Sequence, residues 1–460
     1  MKKNVLFEKE LFRIQTESGS MNLFALFIPL LLEQLFISGL GTVNTLVLSQ
    51  VSEDAVAAVG AVTQIINTCN ILSTIVSTGA AAVINNYLGA TKLQEAKDAS
   101  IVAIVLCTIL GIMLGILMII FRNSVISFMN LTGDIAGYAR IYLVIRCTFF
   151  FISVATVMIN TVMRCYGIAK TALYSGVTSN IVNLLGNVLA VRCFFANTFY
   201  LVMTIGFVCI FSQWCGLGVS IGHLRFRKIS LKLSKDKKRV KNDIAKILKI
   251  GIPSGLATIG YSASQIITNA FAAKISSASL AAKIYFSNIT TYCYLFSLSM
   301  ANAVAVFVGR YSGALQYEKA NCLCRQVILM TTCVNFLISS IMIFYNRSIL
   351  SFFTIQEEIF KVAVPILALD MIAELARARS QVHERALAAT GDSFFCVPFI
   401  IISGFINGVG MSYLLAIHMN LGLIGIWIGF ITDEIVRMLI TEYRWRTGKW
   451  REMSRLIQKK

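Results

Sequence analysis

A single 224-residue register runs through this chain. Pro29 and Pro253, Tyr87 and Tyr311, Gly89 and Gly313, Gly167 and Gly391, and Asn183 and Asn407 are all separated by that interval. The surrounding residues match as well: VSEDAVAAV at 51–59 lies over ISSASLAAK at 275–283, and YLGATKLQEAK at 87–97 over YSGALQYEKAN at 311–321. Solenoid repeats run to about 20–50 residues, so a period this long marks a duplicated domain. Whatever one half folds into, the other must fold into as well.

The medium follows from composition. Hydrophobic residues make up 57% of the chain and charged ones 14%, against ~45–50% apolar in ordinary soluble domains, and the mean hydropathy is +0.75. A bilayer fits these values. With no water to bond its N–H and C=O groups, a spanning segment must satisfy its own backbone, which takes a helix of ~20 mostly apolar residues. Twelve such segments fall at about 20–48, 54–87, 98–121, 136–162, 170–192, 198–222, 247–274, 278–309, 322–345, 359–388, 392–417 and 422–441, six in each half. Several exceed the minimum length, which predicts tilt or ends that project into water.

The expected fold is an all-α integral membrane protein with twelve transmembrane helices in two six-helix lobes, 20–222 and 247–441. A cytoplasmic segment at 1–19, a basic linker at 223–246 and a basic tail at 442–460 complete the chain. An even number of helices before the repeat restarts gives both lobes the same orientation. They are then related by a pseudo-twofold axis along the membrane normal, an arrangement in which two halves rock about a central cavity.

Lys and Arg set the orientation. One set of loops holds Lys2, Lys3, Lys9, Arg13, Lys92, Lys97, Arg164, Lys170, Arg310, Lys319, Arg385, the run RFRKISLKLSKDKKRVK at 225–241, and Arg444, Arg446, Lys449, Arg451 and Lys460. The opposite loops are nearly bare, with Arg122, Lys274 and Arg347 as exceptions. Basic loops stay in the cytoplasm, which predicts a multi-pass plasma-membrane protein with both termini on that side. The formal net charge of +19 then reads as attraction to anionic lipid, not to nucleic acid. The polar first nineteen residues predict no cleavable signal peptide.

The run PLLLEQLFISGLGTVNTLVLSQVSEDAVAAVG from Pro29, Gly79 with YLGATKLQEAK after it, and RCYGIAK at 164–170 resemble the multidrug and toxic compound extrusion (MATE) transporters. GIPSGLA at 251–257 and ATGDS at 389–393 give a second copy, so the resemblance covers nearly the whole chain. It implies a V-shaped twelve-helix protein that exports organic, often cationic, compounds in exchange for protons or sodium ions, with no bound cofactor. Many members of that family carry an Asp in the first helix in a pattern like GxxVDT. The matching stretch here is GLGTVNT, which places Asn44 at that position. An amide cannot titrate, although its carbonyl can still coordinate sodium. Other members carry an acidic residue in helix 7, and between Gly251 and Lys274 this chain has none.

Coupling therefore falls to other groups. Glu33 is an ionisable residue in an apolar segment, rare because desolvation is costly and for that reason a functional candidate. It stands eleven residues, ~16 Å, from Asn44 on one helix face. Asp370, Glu374, Arg377, Gln381 and Glu384 recur at spacings of four, three, four and three, a single stripe. A stripe so polar lines water or protein, and Glu374 and Arg377 are close enough to pair. Both features also admit a structural reading, a bonded neutral Glu and a buried ion-pair network. Arg146 is the register-mate of Asp370, so the two either meet across the axis or each face their own lobe. Lys283 either faces the cavity or snorkels to an interface. If the resemblance holds, Gln34, Gln64, Asn67, Gln265, Asn269 and Asn288 also face the cavity, though such groups equally bond helix to helix.

The twelve Cys form no C-x-x-C pair and have no His partner at zinc spacing, so neither a disulfide framework nor a metal site is expected. No Walker A motif is present, which points to an ion gradient as the energy source. No nucleophile–base or metal constellation suggests an enzyme. The expected function is export of a cationic drug-like compound by antiport with protons or sodium ions. The other reading is transport of an anionic lipid-linked or amphipathic substrate held by Arg146, Lys283, Arg377 and Arg379. The expected partners are the lipid bilayer and a small-molecule substrate, and the expected unit is a monomer.

Overall fold

The structure, a computed structural model, describes residues 9–16, 19–49, 53–129, 131–194, 197–226, 236–351 and 357–458. Lys2, Lys3, the linker residues 227–235 and the Asn44 side chain lie outside the described residues. The first half contains α1 (Leu23–Ser49), α2 (Glu53–Gly89), α3 (Leu93–Ile120), α4 (Arg122–Phe128), α5 (Gly133–Thr148), α6 (Phe150–Cys165), α7 (Lys170–Phe194) and α8 (Thr198–Phe226). The second contains α9 (Lys237–Ile275), α10 (Ser277–Gly313), α11 (Tyr317–Phe344), α12 (Asn346–Leu350), α13 (Glu357–Ala389), α14 (Cys396–Ser403), α15 (Gly422–Arg446) and α16 (Trp450–Gln458). α14 runs on into π-helical turns at Gly404–Met411 and Leu414–His418.

Each apolar segment read from the sequence is one of these helices or a broken pair of them. Among the described residues six helices are long and apolar enough to cross a membrane alone, and α5 with α6, bent by 46°, makes a seventh. α13 and α15 are less apolar because Asp370, Glu374 and Arg377 interrupt one, and Asp433, Glu434 and Arg437 the other. On α3 the large side chains of Ile109, Met113, Ile116 and Ile120 are all exposed. At helical spacing these form one apolar face, which lipid solvates as well as a protein core would.

The duplication extends to the backbone. Thr91 and Leu315, register-mates in the turns after α2 and α10, both adopt φ of 59°, and Gly167 and Gly391 adopt 88° and 81°. Left-handed residues at equivalent positions mean that the same turn was copied with the helices around it.

The chain forms two units. The N-unit is Ile28–Ile84 with Lys92–Gly251, and the C-unit is the chain up to Phe27, Asn85–Thr91 and Ile252–Lys460. Relative to lobes at 20–222 and 247–441, the start of α1 therefore belongs with the C-unit and the start of α9 with the N-unit. Both exchanges fall at equivalent points, just before Pro29 and Pro253. Glycine contacts explain them. In the N-unit a Cβ on Gly79 would lie 2.0 Å from the Ile247 carbonyl oxygen, and one on Gly251 1.9 Å from that of Ile75, so α9 docks directly on α2. In the C-unit the end of α2 meets the end of α10 reciprocally. A Cβ on Gly89 would lie 2.1 Å from the Arg310 oxygen, and one on Gly313 2.2 Å from the Asn86 oxygen. Since Asn86 and Arg310 are themselves register-mates, this crossing has local twofold symmetry. Small residues permit such approach where larger ones would hold the helices apart.

Among the described residues one element is not helical. Arg13–Thr16 and Gly19–Asn22 form an antiparallel hairpin, with Ile14 opposite Met21. Leu11 and Met21 are buried, and Tyr311 of α10 donates a 3.0 Å hydrogen bond to the Leu11 carbonyl. Asn22 then caps α1, its Oδ1 accepting from the Phe24 N–H at 2.9 Å.

Candidate functional site

The C-unit encloses a cavity of about 280 Å³. α9 contributes Tyr261, Ser264, Gln265 and Thr268 to its wall, and α10 contributes Lys283, Ser287, Thr290, Thr291 and Tyr294. α13 adds Asp370 and Arg377, the π-helical turns Gly408, and α15 Ile426, Trp427, Phe430 and Asp433. The α10 residues recur at helical spacing, so one face of that helix is polar while its neighbours pack.

Most of the charge here is paired. Arg377 donates from Nε to Glu434 Oε1 at 3.1 Å and also bonds the Glu374 carboxylate. Its guanidinium lies 4.7 Å from the Phe430 ring centre and 5.6 Å from that of Tyr294. Asn335 of α11 donates to Ser297 Oγ at 2.8 Å and reaches Glu374 Oε2 at 3.5 Å. Arg437 donates from Nε to Asp433 Oδ2 at 2.9 Å, and Ser403 donates to Asp433 Oδ1 at 2.7 Å. Asn407 in turn donates to Ser403 Oγ at 3.1 Å. Planar guanidinium forks suit this use, since one Arg can serve two carboxylates and stack on an aromatic ring.

Two charges on the wall have no opposite charge at ion-pair distance among the described residues. Asp370, 5% exposed, accepts from the Trp427 indole N–H at 3.2 Å. Lys283, also 5% exposed, donates from Nζ to Thr268 Oγ1 at 2.8 Å and to Asn269 Oδ1 at 2.7 Å. Lys283 therefore does not snorkel, because its ammonium is held against α9.

Of the sequence candidates, Gln265, Lys283, Asp370 and Arg377 line this cavity, with Asn269 and Glu374 bonded to them, while Asn288 is exposed. The others lie in the N-unit. Glu33 is half-buried, its Cγ 3.9 Å from where a Cβ on Gly176 would sit, so the glycine of α7 leaves it room. Gln34 is half-buried, and Gln64 and Asn67 are exposed on α2. Arg146 bonds Cys209 Sγ of α8. Arg146 and Asp370 are thus each engaged inside their own unit. Asp433, Glu434 and Arg437 are absent from the sequence candidates, although charged residues inside an apolar segment are the very signal that marks Asp370. Among the described residues no group of His, Cys, Asp and Glu is arranged to hold a metal ion.

Residues 29–189 and 253–414 match the MatE family, two stretches that begin at Pro29 and its register-mate Pro253. The chain belongs to that family: it is a multi-pass membrane transporter of small molecules and not an enzyme. It is similar to the uncharacterized transporter YisQ of Bacillus subtilis (strain 168), 28% identical over 433 residues, covering 94% of this chain and 95% of the relative. It is also similar to the probable multidrug resistance protein NorM of Thermotoga maritima, 22% identical over 461 residues, covering 100% and 98%. A mutant of the Vibrio cholerae MATE transporter VcmN superposes with a TM-score of 0.85 at 17% identity, covering 93% of this chain and 97% of that one. The all-helical fold is thus the one seen in MATE transporters.

Proposed function

We propose that the protein exports a small organic substrate bearing a cationic group, by antiport with protons or sodium ions, through the C-unit cavity. It does so as a monomer in the plasma membrane, with both termini in the cytoplasm. The observation that carries this reading is Asp370, a buried carboxylate on the cavity wall whose one bonded neighbour among the described residues is the Trp427 indole. Out of water, a carboxylate without a cation is costly, and a proton, a sodium ion or a substrate ammonium each relieves that cost. Only one of them can do so at a time, which is the elementary condition for exchange. The Trp427 ring adds a face that attracts a desolvated organic cation, while the rings of Tyr294 and Phe430 lie under Arg377 and that of Tyr261 under Arg437.

Arg377 and Arg437 are committed to carboxylates, so on this reading Glu374, Asp433 and Glu434 hold the wall together while Asp370 exchanges its partner. Glu33 and Asn44 belong to the N-unit, and on this reading neither takes part in the exchange. The basic membrane-flanking loops support the orientation.

Everted membrane vesicles test this. Wild-type vesicles are expected to accumulate a cationic dye when protons or sodium ions are more concentrated in the lumen than outside, and Asp370→Asn to fall to the background of vesicles lacking the protein. Glu33→Gln is expected to retain gradient-driven uptake. Uptake indifferent to both gradients, or full activity of the Asn variant, would contradict the reading.

A further inference from the structure

We propose that Lys283 is the counter-charge for an anionic group on the substrate, so that the C-unit cavity takes a zwitterion, its amine at Asp370 and its carboxylate at Lys283. The inference rests on this cavity being the substrate site.

The buried arginines around this cavity follow one pattern. Arg377 has Glu374 and Glu434, and Arg437 has Asp433. Elsewhere in the same unit Arg444 holds Asp392 through two bonds of 2.8 and 2.9 Å. Lys283 breaks the pattern, since among the described residues its ammonium meets only the neutral oxygens of Thr268 and Asn269. A neutral donor would serve those oxygens without the desolvation cost of a compact, strongly hydrated charge. Fastening α10 to α9 therefore does not account for the charge.

What remains is what a ligand would use. An ammonium has three donors, and two of them are taken by α9. The third, with the whole positive charge, belongs to a residue that lines the cavity. Asp370 is the complement: a negative charge on the same wall, within the field of Arg377 but with no cation at ion-pair distance among the described residues. One charge of each sign outside any ion pair among the described residues, beside the Trp427 ring and Ile426, describes an apolar body with an amine and a carboxylate. The same arrangement disfavours a simple cation, which gains Asp370 but must also sit near Lys283 without compensation.

The test compares two probes that differ only in the anion, a rhodamine with a free carboxylate and its methyl ester. Binding to the purified full-length protein in detergent is read by fluorescence polarisation, with no gradient imposed. Wild type is expected to prefer the acid over the ester by about 10–100-fold, the range for a charge-assisted hydrogen bond. Lys283→Met should lose that preference while binding the ester at least as well as wild type, which also shows that it is folded. Lys283→Arg should keep the preference. Equal binding of acid and ester by wild type overturns the proposal, as does an undiminished acid preference in Lys283→Met. Should the Met variant bind neither probe, the Arg variant decides: ester binding without acid preference there counts against Lys283. Because binding needs no gradient, failure of antiport leaves this result readable. Gradient-driven export with no acid preference would sink this inference alone.

Discussion

Arg377→Met is expected to destabilise the C-unit more than any other single substitution of its wall. The guanidinium bonds Glu374 and Glu434, both nearly inaccessible, and stacks on Phe430. Removing it leaves two buried carboxylates facing each other without a cation, a loss of about 3–5 kcal/mol on precedent for broken buried pairs. In a thermal scan of the detergent-solubilised protein this corresponds to a drop on the order of 5–10 °C. Arg377→Lys should recover only part of it, since an ammonium cannot fork between two carboxylates while lying on a ring. Adding Glu374→Gln and Glu434→Gln to the Met variant should restore most of the loss. If the triple variant were as unstable as Arg377→Met, the electrostatic account of this cluster would be wrong.

The second large effect lies at the crossing of α2 and α10. Gly89→Ala would drive a methyl group to 2.1 Å from the Arg310 carbonyl oxygen, and Gly313→Ala one to 2.2 Å from that of Asn86. The obstacle is backbone, which cannot turn aside as a flexible side chain does. Each change should therefore cost at least the ~1–3 kcal/mol typical of an overpacked core. Because either methyl forces the same two helices apart, the second clash is largely relieved by the first. The double variant should fall clearly short of the sum. Gly60→Ala, with nothing within 4 Å of the new Cβ, is the control and should be neutral or slightly stabilising through helix propensity. Full additivity at Gly89 and Gly313 would mean that they do not share one contact. The readout is the same thermal scan.

Helix positions were legible because a membrane leaves the backbone no alternative, and apolar length locates most of the segments. The register of Pro29 with Pro253 was legible too, and it marks where α1 and α9 pass from one unit to the other. What those prolines flank was not, because the exchange depends on Gly79 meeting Ile247 and Gly251 meeting Ile75, contacts that no spacing encodes. The hairpin before α1 was hidden for a related reason: Leu11 and Met21 are isolated apolar residues in a polar run, and only packing reveals their use. At the site, the Asp370 stripe was readable from its four-and-three spacing. Its partners on α15 carried an equal signal in Asp433, Glu434 and Arg437. That Arg377 is shared while Lys283 and Asp370 lack an opposite charge is a matter of distances between helices. Periodicity ranks those residues alike.

On the proposed function, a cation and the coupling ion compete for Asp370. The most direct measurement is the dissociation constant of a cationic dye on the purified protein, taken across pH at fixed sodium and across sodium at fixed pH. The charged groups around Asp370 are Glu374 and Arg377 on its own helix, Lys283 on α10, and Asp433 and Glu434 on α15. Comparison with Asp370→Asn isolates its share. If protons are the coupling ion, the constant should rise as pH falls, by up to about tenfold per pH unit where one proton displaces one dye molecule. If sodium is, it should rise with sodium instead. In Asp370→Asn that dependence should vanish. A wild-type constant indifferent to both ions, or an Asn variant with the wild-type slope, would contradict the assignment of exchange to this carboxylate.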